Sequence, residues 1–478
     1  MTQTTTSIEQ QRERLETIGQ SHVLRFADEL REPQREALAA QLASLELEKI
    51  PRWIERFITD PEQSVSTDGA HVVPAPVVRR EDGGWDENAM REAGEALIRA
   101  GKVAAFTVAG GQGTRLGFDG PKGKFPATPV HGRPLFACLA EWLHAATKRW
   151  DVDVPWYIMT SPINHDETVE FFESNAYFGL PRDSVSFFSQ GVLPSLDRGT
   201  GRMLLAEKDR VATTPDGHGG SLKALHTSGA LAEMRERGVE HISYVQIDNP
   251  LARVLDPVFL GLHASSEHSS AEMSTKVVRK EDPGEKVGVL GLRDGKTMVI
   301  EYSDLSDEMA ARRDEKGRLS FSAGNIAIHA ISVEFVERLN AGGEFALPLH
   351  RAVKKVPHID TETGDRVDPD EPNAVKLESF VFDALPIAET SLVYEVDRVD
   401  EFAPIKNAEG KDSPASSKSI QTERAARWLE SRGVEVERDA SGEVLGEIEI
   451  SPVTAMRPEE LDEGTLPKRV GADDEVVL

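Results

Sequence analysis

The spacing of apolar positions changes character along the chain. Over residues 8 to 57, Leu15, Ile18, Leu24, Phe26, Leu30, Leu38, Leu42 and Leu45 recur at mostly helical intervals, and almost no glycine or proline interrupts them, which predicts a small helical N-terminal region. From 58 to 86 the composition shifts to Pro, Asp, Gly and Ser around a short VVPAPVV segment, the mark of a connecting stretch. Beyond about 88, short apolar runs alternate with helical patterns: VAAFTV, the helix PLFACLAEWLHAATKRW, VPWYIM, a helix through TVEFFES, SVSFF, one helix over SLKALHTSGALAEMRERG, HISYVQID, DPVFLGLHASS and AEMSTKVV. Such alternation predicts an α/β domain with a mostly parallel sheet. Between 277 and 330 consecutive strands, VGVLGL, TMVIEYS and AGNIAIHAI, predict an antiparallel insertion or edge region. After about 392 the helix IQTERAARWLESRG and short strands around GEVLGEIEIS predict a small C-terminal domain. The expected layout is a helical region and linker over 1–87, an α/β domain over 88–391 and a C-terminal domain over 392–478.

Composition narrows the class. The 478 residues, 39% of them hydrophobic, can bury a large core. The one cysteine, Cys138, lies in an apolar stretch, forms no internal disulfide and fits a reducing compartment as a buried structural thiol. The N-terminus is polar, and no segment approaches the ~18 apolar residues of a membrane span. A soluble cytoplasmic protein is expected, with no membrane partner. With 82 acidic against 55 basic residues the net charge is −27, which argues against nucleic acid as a partner. An acidic solvated surface, or adaptation to high salt, explains this balance. An anionic substrate would then need a local field of opposite sign.

The stretch AGGQGTRLGFDGPKGK, residues 109 to 124, supplies one: it carries Arg115, Lys122 and Lys124 against Asp119 alone. A strand running into glycines and then a helix offers backbone N–H groups to phosphate. A Walker loop is excluded, because no GxxxxGK register followed by Ser or Thr exists and Gly123 follows Lys122. A dinucleotide reading finds GxGxxxG in Gly111, Gly113 and Gly117, with Leu116 where a third glycine is usual and HGRP where a ribose-binding acid would stand. Arg133 in that stretch would suit a 2′-phosphate, so an NADP-dependent oxidoreductase stays open as an alternative.

GGQGTRLG followed by PKG resembles the signature loop of sugar-1-phosphate nucleotidylyltransferases, and the longer form resembles the eukaryotic-type UDP-sugar pyrophosphorylase family, its UDP-N-acetylhexosamine branch above all. Further segments match in the family's order from about 100 to 453. FFSQGVLPSLD resembles the strand and loop that read the base, which implies Gln190 near it, and PDGHGGSLKAL resembles the second nucleotide loop, with Gly219 and Gly220. YVQIDNPLARVLDPVFLG resembles the strand end that bears the metal ligand, here Asp248. By the same resemblance EKVGVL, VIEYSDL and AGNIAIH are expected to bring Gly288, Glu301 and Asn325 to the sugar, and KLESFVFDAL and EFAPIKNAEG to contribute Lys376, Phe380, Phe382 and Lys406. The family usually has Asn before the paired glycines and an aromatic soon after; His218 and Leu222 stand there instead, so His218 enters the sugar site and the preferred sugar stays open.

The resemblance implies a Rossmann-like nucleotidyltransferase domain with a mixed central sheet, a helical N-terminal region and a small C-terminal α+β domain. It also implies uridylyl transfer: a sugar 1-phosphate oxygen attacks the α-phosphorus of UTP and pyrophosphate leaves. N-acetylglucosamine 1-phosphate is the first expectation, with glucose 1-phosphate, galactose 1-phosphate or broad specificity as alternatives. The nucleophile is already ionised near neutral pH, so positioning and charge neutralisation carry the catalysis. In that scheme Arg115 holds the β and γ phosphates, Lys122 sits near the α-phosphate, Lys406 closes over the phosphates and Asp248 holds Mg²⁺. Ala109, Gly110, Gly111, Gly113 and Thr114 form the nucleotide loop. The 13 histidines show no HExxH or comparable metal spacing.

Overall fold

The run VAAFTV forms β1 (Val103–Val108), buried along nearly its whole length, as an unalternating apolar strand covered on both faces should be. The computed structural model describes residues 7–60, 72–265, 267–343 and 345–478; residues 61–71 of the expected connecting stretch lie outside the described residues. On one side of β1 runs β2 (Trp156–Thr160), then β3 (Val185–Ser189), and on the other β4 (His241–Gln246), all parallel. Val108 pairs with both Met159 and Gln246, so the carboxyl ends of β1, β2 and β4 finish at one level.

The chain next adds β5 (Met273–Arg279), β6 (Val289–Arg293), β7 (Lys296–Ile300), β8 (Ala323–Ser332) and β9 (Val393–Val396). The sheet is mixed rather than mostly parallel, because β8 runs antiparallel to β4, β5 and β6. AGNIAIHAI is therefore not an edge strand: β8 is central, and its buried Ile326, Ile328, Ala330 and Ile331 supply core. The helices include α1 (Glu87–Arg99), α2 (Leu135–Trp150), α3 (His165–Ser174), α4 (Pro257–Ser265) and α5 (Pro414–Ser431). The expected single helix over SLKALHTSGALAEMRERG is two, Gly220–Thr227 and Ala230–Glu236, broken at Gly229 with φ 86°, a conformation that glycine adopts without strain.

Contacts divide the chain into two compact units. The larger takes the described residues within Gly69–Ser189, Leu222–Ala346 and Phe382–Leu478, and the smaller those within Met1–Asp68, Gln190–Ser221 and Leu347–Val381. In the smaller unit the helices Ile8–Thr17, Glu32–Ser44 and Ile50–Ile54 bury Leu15, Leu38, Leu42 and Ile50 against Leu196, Leu205, Val375 and Leu377. In the larger unit α5 sets Trp428 and Leu429 on Ile448 and Val470, and Glu447–Glu449 pairs in parallel with Glu475–Val477. Cys138 is buried in α2, and burial pushes its thiol up to about 12. Among the described residues no helix is long and apolar enough to cross a membrane.

Buried polar groups anchor the back of the sheet. Lys276 on β5 is fully buried, and its Nζ donates to Asp256 Oδ2 and Glu401 Oε2, each at 2.5 Å. Burial pushes the Asp256 carboxyl upward, but Lys276 and Arg253 outweigh it and hold the group at about 2. His263 on α4 is also fully buried, with Nδ1 2.8 Å from Ser274 Oγ and its ring edge-on to His241 at 5.2 Å. Burial, then the neighbouring His241, lowers its pKa to about 3. The folded state thus keeps His263 neutral, while the unfolded chain protonates it near pH 6.5. Its contribution is complete above that pH and falls with acid by about 1.4 kcal/mol per pH unit. Urea unfolding between pH 7.5 and 5 should show a stability slope about one proton shallower in His263→Asn than in the parent; equal slopes would refute the assignment.

Candidate active site

The glycine loop leaves β1 at the common level of the strand ends. Ala109 is buried and its N–H donates to the Met159 carbonyl at 2.7 Å, extending the β1–β2 ladder one step. Beyond it Gly110, Gly111, Gly113 and Thr114 form a loop that folds back on itself: the Gly113 N–H donates to the Gly120 carbonyl at 2.9 Å and the Lys122 N–H to the Gly111 carbonyl at 3.1 Å. Two 3₁₀ turns, Thr114–Leu116 and Lys122–Lys124, follow the glycines, and α2 starts only at Leu135. The returning limb lies so close to α2 that a Cβ on Gly123 would stand 2.1 Å from the Phe136 ring.

This geometry removes the premise of the dinucleotide reading. There the third element is a helix whose N-terminus faces the pyrophosphate, and GxGxxxG opens no α-helix here. Arg133 is engaged as well: its guanidinium pairs with Glu141 and, at 3.5 Å, with Glu449.

The loop's cations separate into two kinds. Lys124 donates to Glu167 Oε1 at 2.6 Å and is neutralised within the protein. Lys122 is half-buried, and among the described residues its Nζ donates to the Ile405 carbonyl alone, at 3.4 Å. Burial lowers the Lys122 pKa; Asp248 raises it, and Lys406 and Arg115 lower it further, so these four groups share one electrostatic neighbourhood. Asp248 follows β4, and its carbonyl accepts from the Ile405 N–H at 2.8 Å, which sets Lys406 beside it with Nζ 4.0 Å from Asp248 Oδ2. That separation exceeds a hydrogen bond and leaves the carboxylate's lone pairs available. Arg115 and Lys406 are exposed.

Gly288, Glu301 and Asn325 also meet in the larger unit. The Gly288 carbonyl accepts from the Asn325 N–H at 2.8 Å, and a Cβ on Gly288 would lie 3.4 Å from Glu301 Oε1. Phe382 belongs to this unit too.

The smaller unit holds the second glycine loop. The Gly219 N–H donates to the Ser379 carbonyl at 2.9 Å and the Ser379 N–H to the Asp216 carbonyl at 2.8 Å, with Gly220 turning beneath. A Cβ on Gly219 would be 2.6 Å from the Phe380 nitrogen, so backbone lies on backbone. His218 Nδ1 accepts from the Val381 N–H at 3.1 Å, which puts the ring proton on Nε2. Its ring stands 5.3 Å from Phe380, and Phe380 stands 4.7 Å from His350. Lys376 sits in a strand paired through Ala352, its pKa lowered by burial and then by Lys354; Gln190 is buried. Phe380 and Phe382, both expected at the sugar, fall in different units.

Sequence reasoning missed the groups that place Lys406. Asn249 is buried; its Nδ2 donates to the Glu401 carbonyl at 2.7 Å, and its Oδ1 accepts from the N–H groups of Ala403 at 3.1 Å and Leu251 at 3.2 Å. Glu401 is held in turn by Lys276. An Asn before Pro250 reads locally as a turn, and only the long-range contact reveals its task.

Comparison with known proteins agrees with this architecture. The family model for UTP-glucose-1-phosphate uridylyltransferase matches residues 51–413. A UDP-N-acetylhexosamine pyrophosphorylase-like protein 1 from Xenopus tropicalis is 37% identical over 89% of this chain and 86% of its own. The UDP-N-acetylglucosamine pyrophosphorylase of Saccharomyces cerevisiae is 34% identical over 90% of this chain and 93% of its own. The crystal structure of the uridine diphosphate N-acetylglucosamine pyrophosphorylase from Trypanosoma brucei superposes with a TM-score of 0.78 at 27% identity, covering 98% of this chain and 97% of that one. With three quarters of its length matched by the family model and the mixed sheet and glycine loop in place, the chain belongs to the UTP-glucose-1-phosphate uridylyltransferase family.

Proposed function

We propose that this protein forms UDP-N-acetylglucosamine and pyrophosphate from UTP and N-acetylglucosamine 1-phosphate. The observation that carries the reading is the cation set Arg115, Lys122 and Lys406 gathered with Asp248 where β1 and β4 end, in a chain of net charge −27. The named activities of the relatives support the choice of sugar. A second reading, glucose 1-phosphate or a broad range of sugars, draws on His218 where the family's branch usually has Asn. The partners are small anions rather than nucleic acid, and the single buried Cys138 suits the cytoplasm.

In this reading the protein need not activate a nucleophile, since a phosphate monoester is ionised near neutral pH. Its work is to bring two polyanions together and to neutralise the charge that grows on the leaving pyrophosphate. Arg115, with a planar fork of donors, takes the β and γ phosphates. Lys122, kept short of solvent, is the point charge for the α-phosphate, and Lys406 closes from the segment anchored by Asn249. Asp248 is the group that would hold Mg²⁺. Mg²⁺ is a hard cation usually bound by one or two carboxylates together with substrate phosphates. Bound there, Mg²⁺ supplies further neutralisation of phosphate charge.

Pyrophosphate release from UTP with a panel of sugar 1-phosphates tests the proposal: N-acetylglucosamine 1-phosphate should give the highest kcat/KM, and release with no sugar would overturn the reading. Lys122→Ala should lower kcat by about 10² or more with unchanged thermal unfolding, because a preorganised charge contact is removed. Full turnover by that variant would take Lys122 out of the site. Chelation of divalent cations should abolish release and added Mg²⁺ restore it; turnover that survives chelation would contradict the role given to Asp248.

A further inference from the structure

Asn164 is fully buried just beyond β2, at the residue before α3. An asparagine at that N-cap position ordinarily accepts a bond from the first amides of its helix, yet this one makes none. Its Oδ1 accepts instead from the Ser161 N–H at 2.7 Å and the Ser161 hydroxyl at 2.9 Å. Its Nδ2 donates to the carbonyls of Ala109 at 3.1 Å and Gly111 at 3.3 Å. The orientation of the amide is forced, since a peptide N–H only donates and a carbonyl only accepts. The Gly111 carbonyl also accepts from the Lys122 N–H, so one side chain ties the outgoing limb of the glycine loop and, through Gly111, the limb that returns with Lys122.

We infer that Asn164 is the positioning residue of the phosphate loop, an inference that rests on the uridylyltransferase reading for what the loop binds. In a trans peptide the C=O and N–H point opposite ways, and the structure holds no cis bond among the described residues. With the Ala109 and Gly111 carbonyls drawn inward to Asn164, the N–H groups of Gly110 and Gln112 are turned outward. Neither donates to an acceptor among the described residues. These are the amides a phosphate needs, presented before it arrives. Asn164 touches no substrate; it acts through the two peptides it turns and through the placement of Lys122.

The test is Asn164→Asp, which keeps the shape and the acceptor but loses the donor. At about pH 8 its carboxylate faces two carbonyls, and kcat/KM for UTP should fall by at least tenfold per folded molecule, while KM for the sugar 1-phosphate changes less than about threefold. Toward pH 6 the buried carboxyl takes up a proton, regains one donor, and the deficit relative to the parent should shrink. A merely structural role would lower the folded fraction and leave KM for UTP and this pH-dependent ratio unmoved, and that result would overturn the inference. Asn164→Ser, whose hydroxyl is too short to span both carbonyls, provides a second variant. Hydrogen exchange of the Gly113 and Lys122 amides, bonded within the loop, should be at least about tenfold faster in it than in the parent, and equal exchange would also overturn the inference. A parent that releases no pyrophosphate would defeat the functional reading alone, since the exchange measurement decides the role of Asn164 without turnover.

Discussion

The register that sets Val108 opposite both Met159 and Gln246 is the constraint on which the site depends. Three parallel strands end at one level, so the peptides that follow them leave the sheet together: the glycine loop from β1, the Ser161–Asn164 turn from β2 and Asp248 from β4. In an open α/β sheet the crevice beyond the carboxyl ends is where ligands bind, because backbone donors, short side chains and charges from separate strands converge there. A slip of one residue in any pair would turn the side chains of that strand to the other face and carry Asp248 or Asn164 away from the loop. The buried ladder of Lys276, Asp256 and Glu401 extends the same constraint to the distant segment that carries Lys406.

Electrostatics then works against the rest of the molecule. A protein of net charge −27 repels polyanions at long range, and screening at physiological salt limits that repulsion to about 8 Å. Within that distance the local set decides. Lys124 and Arg133 are neutralised by carboxylates, whereas among the described residues Arg115 and Lys122 form no ion pair within 4 Å and Lys406 stands 4.0 Å from Asp248, the acid that also acts on Lys122. The lowered pKa of Lys122 records what burying a cation beside two others costs, with Asp248 offsetting only part of it.

Much of this was legible in the sequence because it is local. VAAFTV, WYIM and ISYVQ are short, mainly apolar runs, and the signature GGQGTRLG with PKG names both the turn and its cations. What escaped was long-range. The central place of β8 follows from which strand it pairs with, and an antiparallel strand in the middle of a sheet carries the same apolar pattern as one at its edge. The break at Gly229 was missed because a single glycine inside a helical pattern is often tolerated. Asn164 and Asn249 each stand in a short turn beyond a strand, and the carbonyls they hold lie 53 or 152 positions away along the chain, which no periodicity reports. Glu167 and Glu141 could likewise not be recognised from the sequence as the acids that remove Lys124 and Arg133 from the cation count.

The most direct test of the account is an experimental structure with UTP and Mg²⁺ bound. Phosphate oxygens should lie within hydrogen-bond reach of the Gly110 and Gln112 amides and of Arg115 and Lys122, with the metal on Asp248. Phosphates seated away from the end of β1, with Lys122 still turned to the Ile405 carbonyl, would contradict it.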